Sequence, residues 1–184
     1  MIEKATVKQM NQAIEQSKFL LEGLWHVVHK NRFGKVLSEE WFKNLITNEG
    51  LDYALNALAH GGTAISAWYF APFSNDYTPL ATNTYASPGY TEMTTLYNEA
   101  TRQEWAEGAS SGQSITNAVA ATITATGAVT VYGAGIVGGG TDANTKGDTA
   151  GGGTLLASGK FATGKTLAES ETLDLTYTLN GASS

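Results

Sequence analysis

Gly159-Lys160-Phe161-Ala162-Thr163-Gly164-Lys165-Thr166 matches the phosphate-binding loop pattern letter for letter. Such a loop works because its glycines let successive backbone amides cradle phosphates at the start of a helix, with the lysine reaching the same anion. It also needs a parallel sheet and a downstream acidic strand to hold magnesium. Only 18 residues follow Thr166, and they include the alternating run Leu173 to Leu179. No nucleotide-hydrolysing core fits, and the segment reads as a hairpin turn. Gly133-Ala134-Gly135-Ile136-Val137-Gly138 matches the dinucleotide fingerprint and follows an apolar run, Val129 to Tyr132. What comes next, Gly139-Gly140-Thr141-Asp142, cannot form the required helix. Gly and Ala alternating inside a strand, where they permit close sheet packing or a bulge, explain it better.

Asp142, Asn144 and Asp148 offer oxygen ligands in a Gly-rich loop. For a calcium loop, however, Lys146 stands where an oxygen donor belongs and Gly153 where the bidentate Glu belongs. His26 and His29 are three apart; on a strand that spacing places them on opposite faces, so they cannot share a metal. His60 follows a predicted helix end, where it complements the helix dipole. The chain's three histidines assemble no Ser-His-Asp set. Glu99, Glu104 and Glu107 would serve glycoside hydrolysis only if two carboxylates met in a cleft. Arg102 lies among aromatics and carboxylates in Tyr97 to Trp105, and its chemistry is that of a structural clamp, a fork-like ion pair or a cation on a ring. The residues therefore call for no catalytic set, no cofactor and no metal, and the protein is expected not to be an enzyme.

The elements that would position these groups are mostly strands. Between Ser114 and Asn180 there is no His or Arg and only eight charged side chains. Ala118 to Ala125 and Leu173 to Leu179 alternate with period two, the pattern of a strand buried on one face. Trp25 to His29 and Lys35 to Phe42 read as a hairpin around Asn31-Arg32-Phe33-Gly34. Ala67 to Ala71 reads as a core strand, Tyr97 to Trp105 as another, and Ser114 to Ile136 as two or three more. A polar loop spans Ser74 to Pro88 and a Gly-rich one Gly138 to Gly153. Final strands are expected near Leu155 to Phe161 and Leu173 to Leu179. Thr47 or Asn48 caps a short helix, Glu49 to Ala59, with Leu51, Ala54, Leu55 and Leu58 as its buried face. Residues 3–24 read as a longer helix with Val7, Met10, Ile14, Leu21 and Leu24 on a three-four spacing. Such a helix is marginal alone, so its stripe must lie on its own domain, in a homotypic bundle, or on a partner. The expected fold is mainly β: a β-sandwich with an N-terminal helical arm, residues 1–23, and a body, residues 24–184, containing one short helix.

Composition narrows the function classes. Charged residues make up 15% of 184 positions, and 21 glycines raise the number of turns, a composition of sheet proteins and of proteins packed against neighbours. The net charge of −6 argues against nucleic acid as a partner. Residues 1–44 carry seven Lys/Arg against five Asp/Glu and the remainder four against twelve, a polarity able to orient docking. No cysteine is present, so there is no disulfide framework. No apolar run is long enough to span a bilayer, and Met1-Ile2-Glu3-Lys4 does not open a signal peptide, so no membrane is expected.

The order of several short motifs carries a resemblance. Asn44-Leu45-Ile46-Thr47-Asn48-Glu49-Gly50-Leu51 opens the short helix and Trp68-Tyr69-Phe70 follows. Then come the Asp76 to Pro88 loop, Tyr97 with Glu99 and Arg102, and Tyr132-Gly133-Ala134. Leu155-Leu156-Ala157-Ser158-Gly159-Lys160-Phe161 and Leu173 to Thr178 complete the series. In this order, over residues 24–180, the chain resembles small virion structural proteins of tailed bacteriophages. The resemblance implies a jelly-roll-like sandwich located in the virion and assembled in the host cytoplasm. It implies a capsid decoration or cement role, homo-oligomeric, with the major capsid protein as partner, and no catalytic residues. The contact residues expected are Val7, Met10, Ile14 and Leu21 of the arm with Trp25 and Trp41. The alternative is a tail, baseplate or head-fibre module that binds a host carbohydrate through Tyr77, Tyr85 and Tyr90 of the long loop.

Overall fold

The computed structural model describes residues 19–183, so Val7, Met10 and Ile14 lie outside the described residues. The fold is mainly β: the described residues form two five-stranded antiparallel sheets and one helix. The first sheet is built on β1 (Phe19–Lys30) and β10 (Thr172–Ser183), which pair over twelve positions from Phe19↔Ser183 to Lys30↔Thr172. β2 (Val36–Lys43) pairs on the other side of β1, and β6 (Ser114–Thr116) and β7 (Ala121–Thr124) both pair with β10. The second sheet runs β3 (Leu45–Ile46), β9 (Gly153–Leu167), β8 (Val129–Gly139), β4 (Trp68–Phe73), β5 (Gln103–Glu104).

Period-two alternation makes the core. On β1, Trp25, Val27 and His29 are buried while His26 and Val28 alternate with them; on β10, Leu173, Leu175 and Tyr177 are buried. These meet Phe70, Val131, Ile136, Leu156 and Phe161 of the second sheet in one cluster. Trp25 is its centre, stacked on Phe42 at 6.1 Å and packed on Phe70 at 5.6 Å and Tyr177 at 5.0 Å.

Three expectations are corrected. Phe19 to Leu24 is strand, not helix, and Gly23 sits inside β1 rather than ending a segment. Leu21 and Leu24 satisfy a helical spacing, but pairing with β10 decides the local structure. Gly23 is needed where it stands: a Cβ there would meet the side chains of Asn44 and Tyr177. Gly159 to Thr166 forms no hairpin turn but belongs to β9. The ladder jumps from Val131↔Lys165 to Gly133↔Lys160, so Phe161 to Gly164 bulge out of register while the strand continues. Tyr97 to Trp105 is mostly irregular, with only Gln103 and Glu104 in a strand.

The helix, α1 (Asn48–Ala59), starts where Thr47 caps it, its hydroxyl accepting from the Gly50 amide at 2.9 Å and donating to the Leu155 carbonyl. Its buried side is not the leucine stripe. Gly50 faces β9 so closely that an added Cβ would lie 2.3 Å from the Leu156 carbonyl oxygen. Tyr53 and Ala54, three and four residues on, follow the same line, and Tyr53 packs edge-on against Trp68 at 5.2 Å. Leu51, Leu55 and Leu58 are thereby turned to the surface. In a solvent-facing helix, Gly→Ala gains about 1 kcal/mol. Here Gly50→Ala is expected to lose about 1–3 kcal/mol, because backbone and not a flexible side chain is in the way. Urea unfolding of the variant measures the sign; a gain in midpoint would show that α1 does not rest on Leu156.

Candidate functional site

Two features stand out once the elements are placed: a buried ionic staple that shapes the loops, and exposed apolar residues in two patches, one on β2 and one on α1. The staple is centred on Arg102. Its guanidinium donates through Nε to Glu92 Oε1 at 2.8 Å and through Nη2 to Glu92 Oε2 at 2.6 Å, a two-pronged pair. The remaining donors go to the carbonyls of Ala143 at 2.8 Å and Asp148 at 2.9 Å. Both partners are buried, with side-chain exposures of 2% for Arg102 and 8% for Glu92. Arg102 also lies over the Tyr85 ring, whose hydroxyl donates to Asp148 Oδ2 at 2.8 Å.

The electrostatics follow from this geometry. Burial by itself lowers the Arg102 pKa, but the hydrogen bonds and charge of Glu92, with Tyr85 behind them, raise it above the free guanidinium value. Burial and the bond to Asp148 push the Tyr85 hydroxyl up to about 12. The Ala150 amide and the Tyr85 hydroxyl hold the Asp148 carboxyl below its ordinary value. Each nitrogen of the guanidinium has a partner from the protein, so Arg102 joins loop 84–102 to loop 142–150.

The other sequence candidates do not converge. His29 is buried and lies 3.0 Å from Glu171, while His26 is on the opposite face, 2.6 Å from Glu39. His60 caps α1, its amide donating to the Asn56 carbonyl. Both Glu99 oxygens accept from the Thr124 amide, and Glu104 stands exposed on β5. Asp142 accepts from Thr145 at 2.6 Å, and Asp148 is engaged by Tyr85 and Ala150. Among the described residues, no group of three or more His, Asp or Glu gathers as a metal site would require. Lys160 pairs with Asp76 at 2.6 Å and Lys165 with Glu40 at 2.7 Å, so the lysines of the phosphate-loop pattern are spent on ion pairs.

Two contact assignments change. Trp25 is fully buried beneath both sheets and cannot meet a partner. Tyr85 and Tyr90 are buried too, Tyr90 stacked on Phe73 at 4.7 Å, so the loop tyrosines form no exposed sugar-binding cluster. Trp41 is different. It lies on β2, the edge strand of its sheet, 58% exposed and held flat against the His26 ring at 3.9 Å with an interplanar angle of 7°. The Glu39 carboxylate fixes that histidine from the same face. Phe33, Val36 and Leu37 are exposed at the hairpin end of the same strand. Beyond the other end, past β3, Leu51, Leu55 and Leu58 repeat along the outer face of α1. Leu21, half-buried on β1, adjoins that second patch.

Sequence reasoning missed Phe33 and the outward α1 leucines. An edge strand carrying Val36, Leu37 and Trp41 on a long exposed surface is the kind of feature that soluble proteins ordinarily blunt. The geometry suits docking onto another apolar surface. No helix among the described residues is long and apolar enough to cross a membrane. No protein-family model matches the chain, and no curated protein matches it.

Proposed function

We propose that the chain is a non-enzymatic structural component of a tailed-bacteriophage particle, a capsid decoration or cement protein that bridges major capsid subunits. The observation that carries this reading is the pair of separate exposed apolar patches on one small body. Phe33, Val36, Leu37 and Trp41 line the β2 edge, and Leu51, Leu55 and Leu58 line α1. A bridging protein needs two docking faces, and the resemblance of the ordered motifs to small virion proteins supports a capsid protein as the partner. On this reading the two sheets are the layers of a jelly-roll-like β-sandwich, and the N-terminal residues are an arm appended to it. Each copy buries modest apolar area on neighbouring subunits, and the symmetry of a shell repeats the contact many times. Homo-oligomeric arrangement and location in the virion, after assembly in the host cytoplasm, follow from the same reading.

The test is the copy number per purified particle, by quantitative mass spectrometry against the major capsid protein. On the order of hundreds of copies, in simple ratio to the shell protein, is the expected result for a symmetric coat. A few dozen or fewer moves the protein to a tail or vertex, and none removes it from the particle.

A further inference from the structure

The edges of the two sheets differ in length. In the second sheet the outer strands β3 and β5 are two residues long. In the first, β6 and β7 share one side and have three and four residues. β2, with eight residues, forms the other side, and among the described residues no strand pairs with its free edge. Sheet edges are ordinarily kept short or bulged, because a long one offers its amides and carbonyls to any strand that meets it. Ser38 to Lys43 pair without a break with His29 to Leu24, and the register slips only beyond Ser38. Six residues of this edge are therefore regular.

We propose that this edge pairs with the same edge of a second copy of the chain, antiparallel about a two-fold axis at Trp41. The charges select both the occupant and the register. Glu39, Trp41 and Lys43 are exposed on the outer face of β2. With Trp41 opposite Trp41, Glu39 of each copy stands opposite Lys43 of the other, so symmetry makes the opposite-charge pair twice. An axis at Glu40 would set that carboxylate against itself, and an axis at Glu39 would do the same there while opposing Lys35 to Lys43. A foreign strand needs no such self-complementarity. His26 covers one face of the Trp41 indole at 3.9 Å, which leaves the opposite face for the second indole. Glu39 and Lys43 already touch His26 and Glu22, but their side chains are 52% and 72% exposed and keep bonding capacity for a further partner. On the inner side Glu40 stands opposite Phe42, and its carboxylate is held by Lys165 at 2.7 Å. Phe33, Val36 and the leucines of α1 stay outside the pairing. The inference needs no virion and is read on the purified chain, so it stands or falls apart from the copy number in a particle.

Sedimentation equilibrium of the 184-residue chain, over a concentration series from about 1 to about 200 µM, tests the pairing. The expected result is a reversible dimer of twice the chain mass. Glu39→Lys alone and Lys43→Glu alone each set like charges against one another across the axis, and each is expected to weaken the dimer at least about tenfold. The two changes together exchange the charges and restore the pair, so the double variant is expected to return to within about threefold of the parent. Circular dichroism of every variant checks that the sheets are intact, and both positions are exposed enough for the fold to survive. A chain that stays monomeric through the series overturns the proposal. So does a dimer that both single reversals leave unchanged and Leu58→Asp abolishes, since that places the contact on α1. Weakening by the single changes with no recovery in the double variant overturns the register about Trp41.

Discussion

Replacing Arg102 by Ala is expected to lower the unfolding free energy by about 3–5 kcal/mol, because it leaves the Glu92 carboxylate buried without its counter-charge. The loss also strips donors from the Ala143 and Asp148 carbonyls, so the loop 142–150 loosens as well. Arg102→Lys is expected to recover only a minor part, since an ammonium cannot give two parallel bonds to Glu92 while also reaching both carbonyls. Removing both charges together should cost less than the sum of the single changes, the mark of a shared network. Denaturant melts of Arg102→Ala, Arg102→Lys, Glu92→Ala and the Arg102→Ala, Glu92→Ala double change decide the matter. A fall of under about 1 kcal/mol for Arg102→Ala would mean that Glu92 is not left buried and charged, because water or a proton reaches it.

Trp25 gives the second large effect, and its two substitutions separate volume from polarity. Trp25→Ala removes the ring packed against Phe42, Phe70 and Tyr177 and is expected to cost about 3–5 kcal/mol. Trp25→Phe is expected to cost under about 1.5 kcal/mol, although it also deletes atoms from the centre of the core. The reason is that the indole Nε1 is buried without a hydrogen-bond partner, so deleting it relieves an unsatisfied donor. If Phe proves as damaging as Ala, the indole nitrogen has a partner after all, a buried water being the simplest.

The strands were legible where one face is buried and the other wet. Leu173 to Leu179 shows that alternation in plain sequence and β10 follows it, while Trp68 to Phe70 was legible as a short apolar run and became β4, buried along most of its length. The capping Thr47 located α1 within one residue. What failed was the direction of that helix, because a glycine carries the close approach to β9 and hydrophobicity patterns give glycine no weight. Phe19 to Leu24 failed for a different reason. Its leucines suit either period, and the deciding interaction is with residues at the far end of the chain. Tyr97 to Trp105 carries strand-like residues, but Leu96 adopts a left-handed φ of 65° and Glu99 turns back to the Thr124 amide, so no ladder extends there. Arg102 stood out by its rarity, as one of two arginines in the chain. Its true partner, Glu92, sits ten residues back across an irregular loop, where no spacing rule reaches. Trp41 and Trp25 were expected together as contact residues; only Trp41 is exposed, and alternation alone does not separate an edge-strand tryptophan from one in the core.

The register of β1 with β10 has a kinetic meaning. β10 is the last strand in order yet sits in the middle of its sheet, and pairs such as His29 and Glu171 are 142 residues apart. While the chain is being made, β1, β6 and β7 wait without their common neighbour, and Trp25 lacks Tyr177, one of the rings that enclose it. Although β1 can pair early with β2, joining β10 to β1 must pay the loop entropy of contacts such as His29–Glu171, 142 residues apart, which places folding in the slow, millisecond-to-second class. A nascent chain of this protein is therefore at its most adhesive just before synthesis of β10, when sibling chains offer the same unpaired strand edges.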